Sequence, residues 1–170
     1  MKSIHRQILE QLRSGSRVVL ATVIRTSGST PQKPGSSALF GERGLIAGTV
    51  GGGLLEGEVE HIAMNVLISG ISNWYYFNLD TDQGDEGSIC GGEAVVLIDA
   101  NPGHHLKALE EMEQSLSQRE EGAMLTVVGQ QSDNGRSVEY CWIAKEITHH
   151  LPGCLDAEMK DKISGHISSS

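Results

Sequence analysis

Three glycine-rich motifs hold the residues whose types and spacing could do chemistry in this 170-residue chain. Cys90-Gly91-Gly92 puts a thiol before two glycines where an acidic loop meets an apolar run, a place open to a bulky partner. A thiolate there is a nucleophile or a soft metal donor; the competing reading is a small buried hydrophobe, the commoner fate of a lone cysteine. Gly51-Gly52-Gly53 runs straight into an apolar, helix-like segment. Glycine lets backbone N–H groups approach a ligand that a Cβ would hold off, and a helix N-terminus adds unpaired donors and partial positive charge. Three glycines in a row are costly to order, more than a connector needs. Ser27-Gly28-Ser29-Thr30 adds hydroxyls suited to phosphate oxygens, with Lys33 close behind. An anion is the natural guest of these last two.

These motifs need elements to hold them. Ser3 to Gly15 reads as a helix with Ile4, Ile8 and Leu12 on one face. Arg17 to Arg25 is nearly continuous in β-favouring apolar residues and predicts a central strand buried on both faces, its carboxyl end delivering Thr26 to Thr30. Ser37 to Phe40 and Leu45 to Val50 predict a hairpin turning at Gly41-Glu42-Arg43-Gly44. Leu54 to Leu67 has Leu55, Val59, Ile62, Ala63 and Val66 at helical period, and Gly70 stops it. Asn73 to Asp80 and Glu93 to Ala100 predict strands on either side of the acidic loop Asp80 to Gly87. His105 to Glu121 predicts an amphipathic helix with Leu106, Leu109, Met112 or Glu113, and Leu116 along its face. Ala123 to Gln130 and Ser137 to Ala144 form the last predicted hairpin, around Asn134-Gly135. The expected fold is α/β: a single domain over residues 1–145, with a mixed β-sheet flanked by helices near 3–14, 54–69 and 105–121. A polar tail is expected over 146–170.

Composition narrows the partners. Net charge is −9, which disfavours nucleic acid. Residues 1–53 nonetheless carry seven Lys and Arg against two acids, so the glycine motifs before Leu54 sit in the basic third of an acidic protein. The chain has no run of 18 apolar residues and no signal-peptide pattern, so no membrane partner and a cytoplasmic location are expected. Three widely spaced cysteines argue for reduced thiols. His104-His105 and His149-His150 lack zinc-site spacing. There is no G-x-S-x-G elbow, no G-x-G-x-x-G fingerprint and no P-loop. Beyond Glu56, no acid–base pair is recognisable, and no catalytic residue is assigned. The rival expectation is an oxidoreductase or transferase acting on a phosphate-bearing substrate or nucleotide at the same loops.

In this order and at these separations, ATVIRTSGSTPQKPG (Ala21 to Gly35), GTVGGGLLEGEV (Gly48 to Val59) and CGGEAVVLID (Cys90 to Asp99) resemble the xanthine dehydrogenase accessory family, the XdhC/CoxI group. The resemblance covers about residues 1–145. It implies a chaperone for the molybdenum cofactor (molybdopterin), which holds the cofactor while a cysteine desulfurase installs its terminal sulfur ligand and then passes it to a molybdenum hydroxylase such as xanthine dehydrogenase. The motif positions fall on Ser27, Gly28, Ser29 and Pro31, on Gly51, Gly52, Gly53 and Glu56, and on Cys90, Gly91 and Gly92; Thr30 and Lys33 join them as cofactor-binding candidates. By the same resemblance Cys90 holds the cofactor through its molybdenum. A homodimer is the candidate assembly. Many members carry a second, C-terminal dinucleotide-fold domain with no counterpart in this sequence, so a short form or a shortened chain is expected.

Overall fold

The computed structural model describes residues 4–79, 91–131, 135–144 and Ile163. Helix α1 (Ile4–Arg13) leads into β1 (Val18–Gly28), β2 (Ser37–Gly41) and β3 (Gly44–Gly48); α2 (Gly53–Ser69), β4 (Asn73–Asn78) and β5 (Gly92–Asp99) follow. A 3-10 turn at Pro102–His105 precedes α3 (Leu106–Ser117), β6 (Gly122–Gln130) and β7 (Arg136–Ala144). Residues 1–104 and 130–137 form one compact unit; residues 105–129 and 138–170 form a second.

In the first unit the strands lie in the order β3-β2-β1-β5-β4. The helix-and-sheet class is as the sequence predicts, but the sheet is not mixed: each of its four pairings is antiparallel. The connections explain why. The Glu42-Arg43 turn joins β2 to β3 as a two-residue hairpin, which makes antiparallel neighbours. The α2 crossover leaves β3 at one edge and delivers β4 at the other. Its two flanking strands run in the same direction, yet never touch.

The central strand is buried on both faces only in its first half, from Val18 to Ala21, with Val23 buried beyond. Val19, Ala21 and Val23 meet α2, together with Ala38 and Phe40 of β2 and Val96 and Ile98 of β5. Against them α2 lays Leu55, Val59, Ala63, Val66 and Leu67, the periodic face legible in the sequence. Each buried Leu or Val chain contributes about 1.5–3 kcal/mol. The helix ends where Gly70 turns left-handed (φ 70°, ψ 14°) and donates its N–H to the Val66 carbonyl at 2.8 Å. Helix α1 buries Ile8 and Leu9 rather than a strict i, i+4 row. At the far end of β5, Ser72 donates to the buried Asp99 carboxylate (3.1 Å) and accepts the Ala100 N–H (2.9 Å), closing the turn that follows.

In the second unit α3 buries Ala108, Leu109, Met112 and Ser115, leaving Leu106 and Leu116 exposed. The predicted face is rotated because Ser115 accepts the Trp142 indole N–H of β7 at 3.0 Å. β6 and β7 pair as a two-stranded sheet. Of their predicted connecting turn, residues 132–134 lie outside the described residues, as do the acidic loop and all of the predicted tail except Ile163.

Gly57 sits on the exposed side of α2 with nothing within 4 Å of where a Cβ would be. Gly57→Ala therefore meets no clash and removes glycine's extra chain entropy, raising stability by about 0.5–1 kcal/mol. Thermal unfolding should show a melting temperature higher by about 1–4 °C; a fall would mean that this face of the helix is covered.

Candidate functional site

The first two glycine motifs, and Gly91-Gly92 of the third, arrive at one end of the five-stranded sheet. β1 and β3 finish there, and β5 begins there. β1 runs further than the sequence suggests: Thr26, Ser27 and Gly28 are still paired, opposite Ala94, Glu93 and Gly92. Only from Ser29 does the chain leave the sheet.

The first and third motifs interlock. Gly28 has φ +70°, and a Cβ there would lie 2.7 Å from the Gly91 carbonyl oxygen. A Cβ on Gly92 would lie 2.5 Å from the Ser29 carbonyl oxygen and 2.7 Å from that of Ser27. The Ser29 N–H donates to the Gly91 carbonyl at 3.1 Å. No side chain fits at either glycine without moving backbone, so these two are glycine for packing between loops. The first loop then reaches the second: a Cβ on Gly51 would come within 2.7 Å of Pro31 Cγ.

The triple glycine has a conformational reason. Gly51, Gly52 and Gly53 have φ of +144°, +69° and +57°. With ψ at −177°, Gly52 occupies a region that is essentially glycine's alone. The turn thus requires glycine whether or not a ligand binds. What distinguishes Gly52 and Gly53 from Gly51 is the space beside them, for a Cβ at either would meet nothing within 4 Å. As N-cap of α2, Gly52 offers no side-chain cap, which leaves the intrinsic donors of the first helical turn to an outside acceptor.

Glu56 is committed inside the fold. Its Oε2 accepts the Thr49 hydroxyl at 2.6 Å and the Val50 N–H at 3.3 Å, while Thr49 Oγ1 accepts the Gly51 N–H at 3.1 Å. This clasp holds the approach to α2 and spends the carboxylate on it. Thr49 escapes the sequence reading because seven residues separate it from Glu56, whereas a capping box places its partners three apart. Thr30 is also partly engaged, donating to the Gln32 carbonyl at 3.0 Å, and Ser36 donates to Gln32 Oε1 at 3.0 Å. These bonds brace the first loop and leave Ser27, Ser29 and Lys33 exposed at its surface.

Cys90 lies outside the described residues; Gly91, which follows it in the chain, is the residue tied to Ser29. Cys141 is half-buried in β7, and burial pushes its thiol up, with the Glu111 carboxylate adding to that and Lys107 opposing it. A raised thiol is a poor thiolate donor. Among the described residues no three His, Cys, Asp or Glu side chains stand where they could share a metal ion. No described helix is long and apolar enough to cross a membrane. A cavity of about 230 Å³ lies at the opposite end of the sheet, lined in part by Arg17, Gly70, Asn101 and His104. Two of its polar side chains are engaged: Arg17 donates to the Leu67 carbonyl (3.3 Å) and pairs with Glu42 (3.5 Å), and Asn101 donates to the Gly70 carbonyl (3.2 Å).

The segment that contains β1, the first two glycine motifs and α2 has known relatives. Residues 11–76 match the XdhC and CoxI family. The XdhC and CoxI match stops before Gly91-Gly92, which the fold ties back to the matched segment through Ser29. Among solved structures, one described as a xanthine dehydrogenase from Bacillus halodurans matches with a TM-score of 0.60 and 26% identity, over 82% of this chain and 42% of that one. This chain therefore spans less than half the length of that structure. No curated protein matches the chain.

Gly92 and Gly35 separate packing from strain. Gly35 has φ +93° and nothing within 4 Å of a Cβ, so Gly35→Ala should cost only backbone strain, about 1 kcal/mol. Gly92→Ala drives a methyl into two carbonyl oxygens and should cost about 1–3 kcal/mol, with increased protease cleavage in the Ser29–Ser36 loop. Equal losses in chemical denaturation would show that the two motifs do not interlock.

Proposed function

We propose that the glycine-rich end of this sheet binds the molybdenum cofactor (molybdopterin) and that the protein is an accessory chaperone for a xanthine dehydrogenase-type molybdenum hydroxylase. The observation that carries the reading is the meeting of Ser27-Gly28-Ser29, the triple glycine and Gly91-Gly92 at one sheet end, beside a helix N-terminus without a side-chain cap. The XdhC and CoxI match over residues 11–76 and the likeness to a protein described as a xanthine dehydrogenase support it.

The described residues fit the group. A Cβ at Gly52 or Gly53 would meet nothing within 4 Å, so a ligand has room to approach the backbone there, and the helix N-terminus favours phosphate oxygens electrostatically. The hydroxyls of Ser27 and Ser29, and the ammonium of Lys33, are exposed on the adjoining loop. Cys90 would supply the soft thiolate for the metal end. When bound, the cofactor supplies a molybdenum centre; the chain holds it, orients it and limits its exposure to water. A cysteine desulfurase would act on the held cofactor before transfer to the hydroxylase. In the rival reading, an enzyme working on a phosphate-bearing substrate, the one recognised acid–base candidate, Glu56, already accepts two hydrogen bonds at Oε2 from Thr49 and Val50.

Protein purified from a host that makes the cofactor should carry molybdenum and, after oxidation, the fluorescent pterin. Cys90→Ser should lower both sharply with the melting temperature unchanged, because oxygen replaces a soft donor at nearly constant size. Cys141→Ser should retain both. Wild-type protein free of molybdenum and pterin overturns the reading, and full retention in Cys90→Ser removes that residue from the site.

A further inference from the structure

β1 carries a bulge at Ile24. Before it Val23 stands opposite Val96, and after it Arg25 stands opposite Val95. Val23 and Val96 belong to the core beneath α2, whereas Val95, the next residue along β5, faces the other side of the sheet. Without the extra residue Arg25 would follow Val19, Ala21 and Val23 to the α2 side, where a guanidinium would be buried at heavy cost. The bulge turns it to the opposite face.

There the side chain crosses β5. Its Cζ lies 5.9 Å from the ring centroid of Tyr76, which stands opposite Val95 on β4 and is 70% exposed. A cation–π contact at that distance on an exposed surface is a weak hold. The ion pairs found among the described residues join Arg6 to Glu10, Arg17 to Glu42 and Lys107 to Glu111; Arg25 is in none of them. Ser27 lies two residues along the same strand, about 7 Å away and on the same face. Glu93, opposite Ser27, is an exposed carboxylate on that face and repels an anion that arrives without a cation.

We propose that Arg25 is the residue by which the Ser27–Thr30 loop tells a phosphorylated ligand from its dephosphorylated counterpart, the guanidinium leaving the Tyr76 ring to pair with phosphate oxygens. This rests on the cofactor-binding reading and adds to it a specificity residue outside the three motifs. Bidentate pairing with phosphate is what guanidinium geometry favours, and the weak contact with Tyr76 keeps the group placed without committing it.

The test is calorimetric titration of the full chain with a phosphorylated pterin, with the same pterin lacking phosphate, and with inorganic phosphate. Wild type should prefer the phosphorylated pterin, and salt should reduce that preference. Arg25→Gln should weaken it by roughly 10- to 100-fold, leave the dephosphorylated pterin unaffected and melt like wild type, since the side chain is exposed. Arg25→Lys should recover part of the preference. Binding of inorganic phosphate alone, lost in Arg25→Gln, supports the anion contact while removing the pterin reading. An undiminished preference in Arg25→Gln overturns the assignment and leaves the cofactor reading standing; equal wild-type affinity for the two pterins overturns the phosphate contact altogether.

Discussion

The candidate site depends on one close approach: backbone to backbone between Ser27-Gly28-Ser29 and Gly91-Gly92. A Cβ at either Gly28 or Gly92 would fall within 2.7 Å of a carbonyl oxygen of the other segment. The approach is possible because β1 remains paired with β5 as far as Gly28. A backbone-to-backbone contact without side chains leaves little room for adjustment, since carbonyl oxygens stand where any Cβ would have to go. It therefore fixes the start of β5 relative to the end of β1. Pro31, a few residues on, then sets the position of Gly51. Two contacts bring three motifs, spread over some 65 residues of sequence, to one place.

The same strand serves both faces of the sheet because of the Ile24 bulge. Up to Val23 its alternation is dictated by α2, which needs Val19, Ala21 and Val23 as its floor. Beyond Val23 the floor is no longer needed, and polar side chains take over. Thr22, just before the bulge, shares a hydrogen bond of 3.0 Å with Ser37, so the polar character begins on the face away from α2. A strand that is core at one end and binding surface at the other needs some device to change the pattern. One extra residue suffices.

Much of this was legible in the residues. The α2 face and its Gly70 stop follow from periodicity and from the left-handed freedom of glycine, and the β2–β3 hairpin follows from Gly41-Glu42-Arg43-Gly44. Pairing sense was not, because a helix between two strands suggests parallel neighbours, and only the sheet order reveals that α2 links opposite edges. The α3 face was misplaced because its buried polar position, Ser115, is chosen by a bond to Trp142 in a distant strand. At the site, the glycines were found but their roles were merged. Local sequence cannot separate a glycine needed for a positive φ from one needed for a neighbour's approach. Nor does it announce that Arg25 leaves the face its strand position implies.

The coordinates divide the glycines by what lies beside them. Gly28, Gly51 and Gly92 face protein atoms, while Gly35, Gly52 and Gly53 face open space. A ligand can use only the second group. Glu56 sharpens the division, for a carboxylate in the first turn of a helix commonly satisfies that helix's own N–H groups. It instead reaches back to Thr49 and Val50, ahead of the triple glycine. The acid stabilises the turn and still sits favourably in the helix dipole, without capping the donors at Gly52 and Gly53. A helix N-terminus held rigid from behind and left open in front is preorganised for an anion, because the cost of ordering three glycines has already been met in folding rather than on binding.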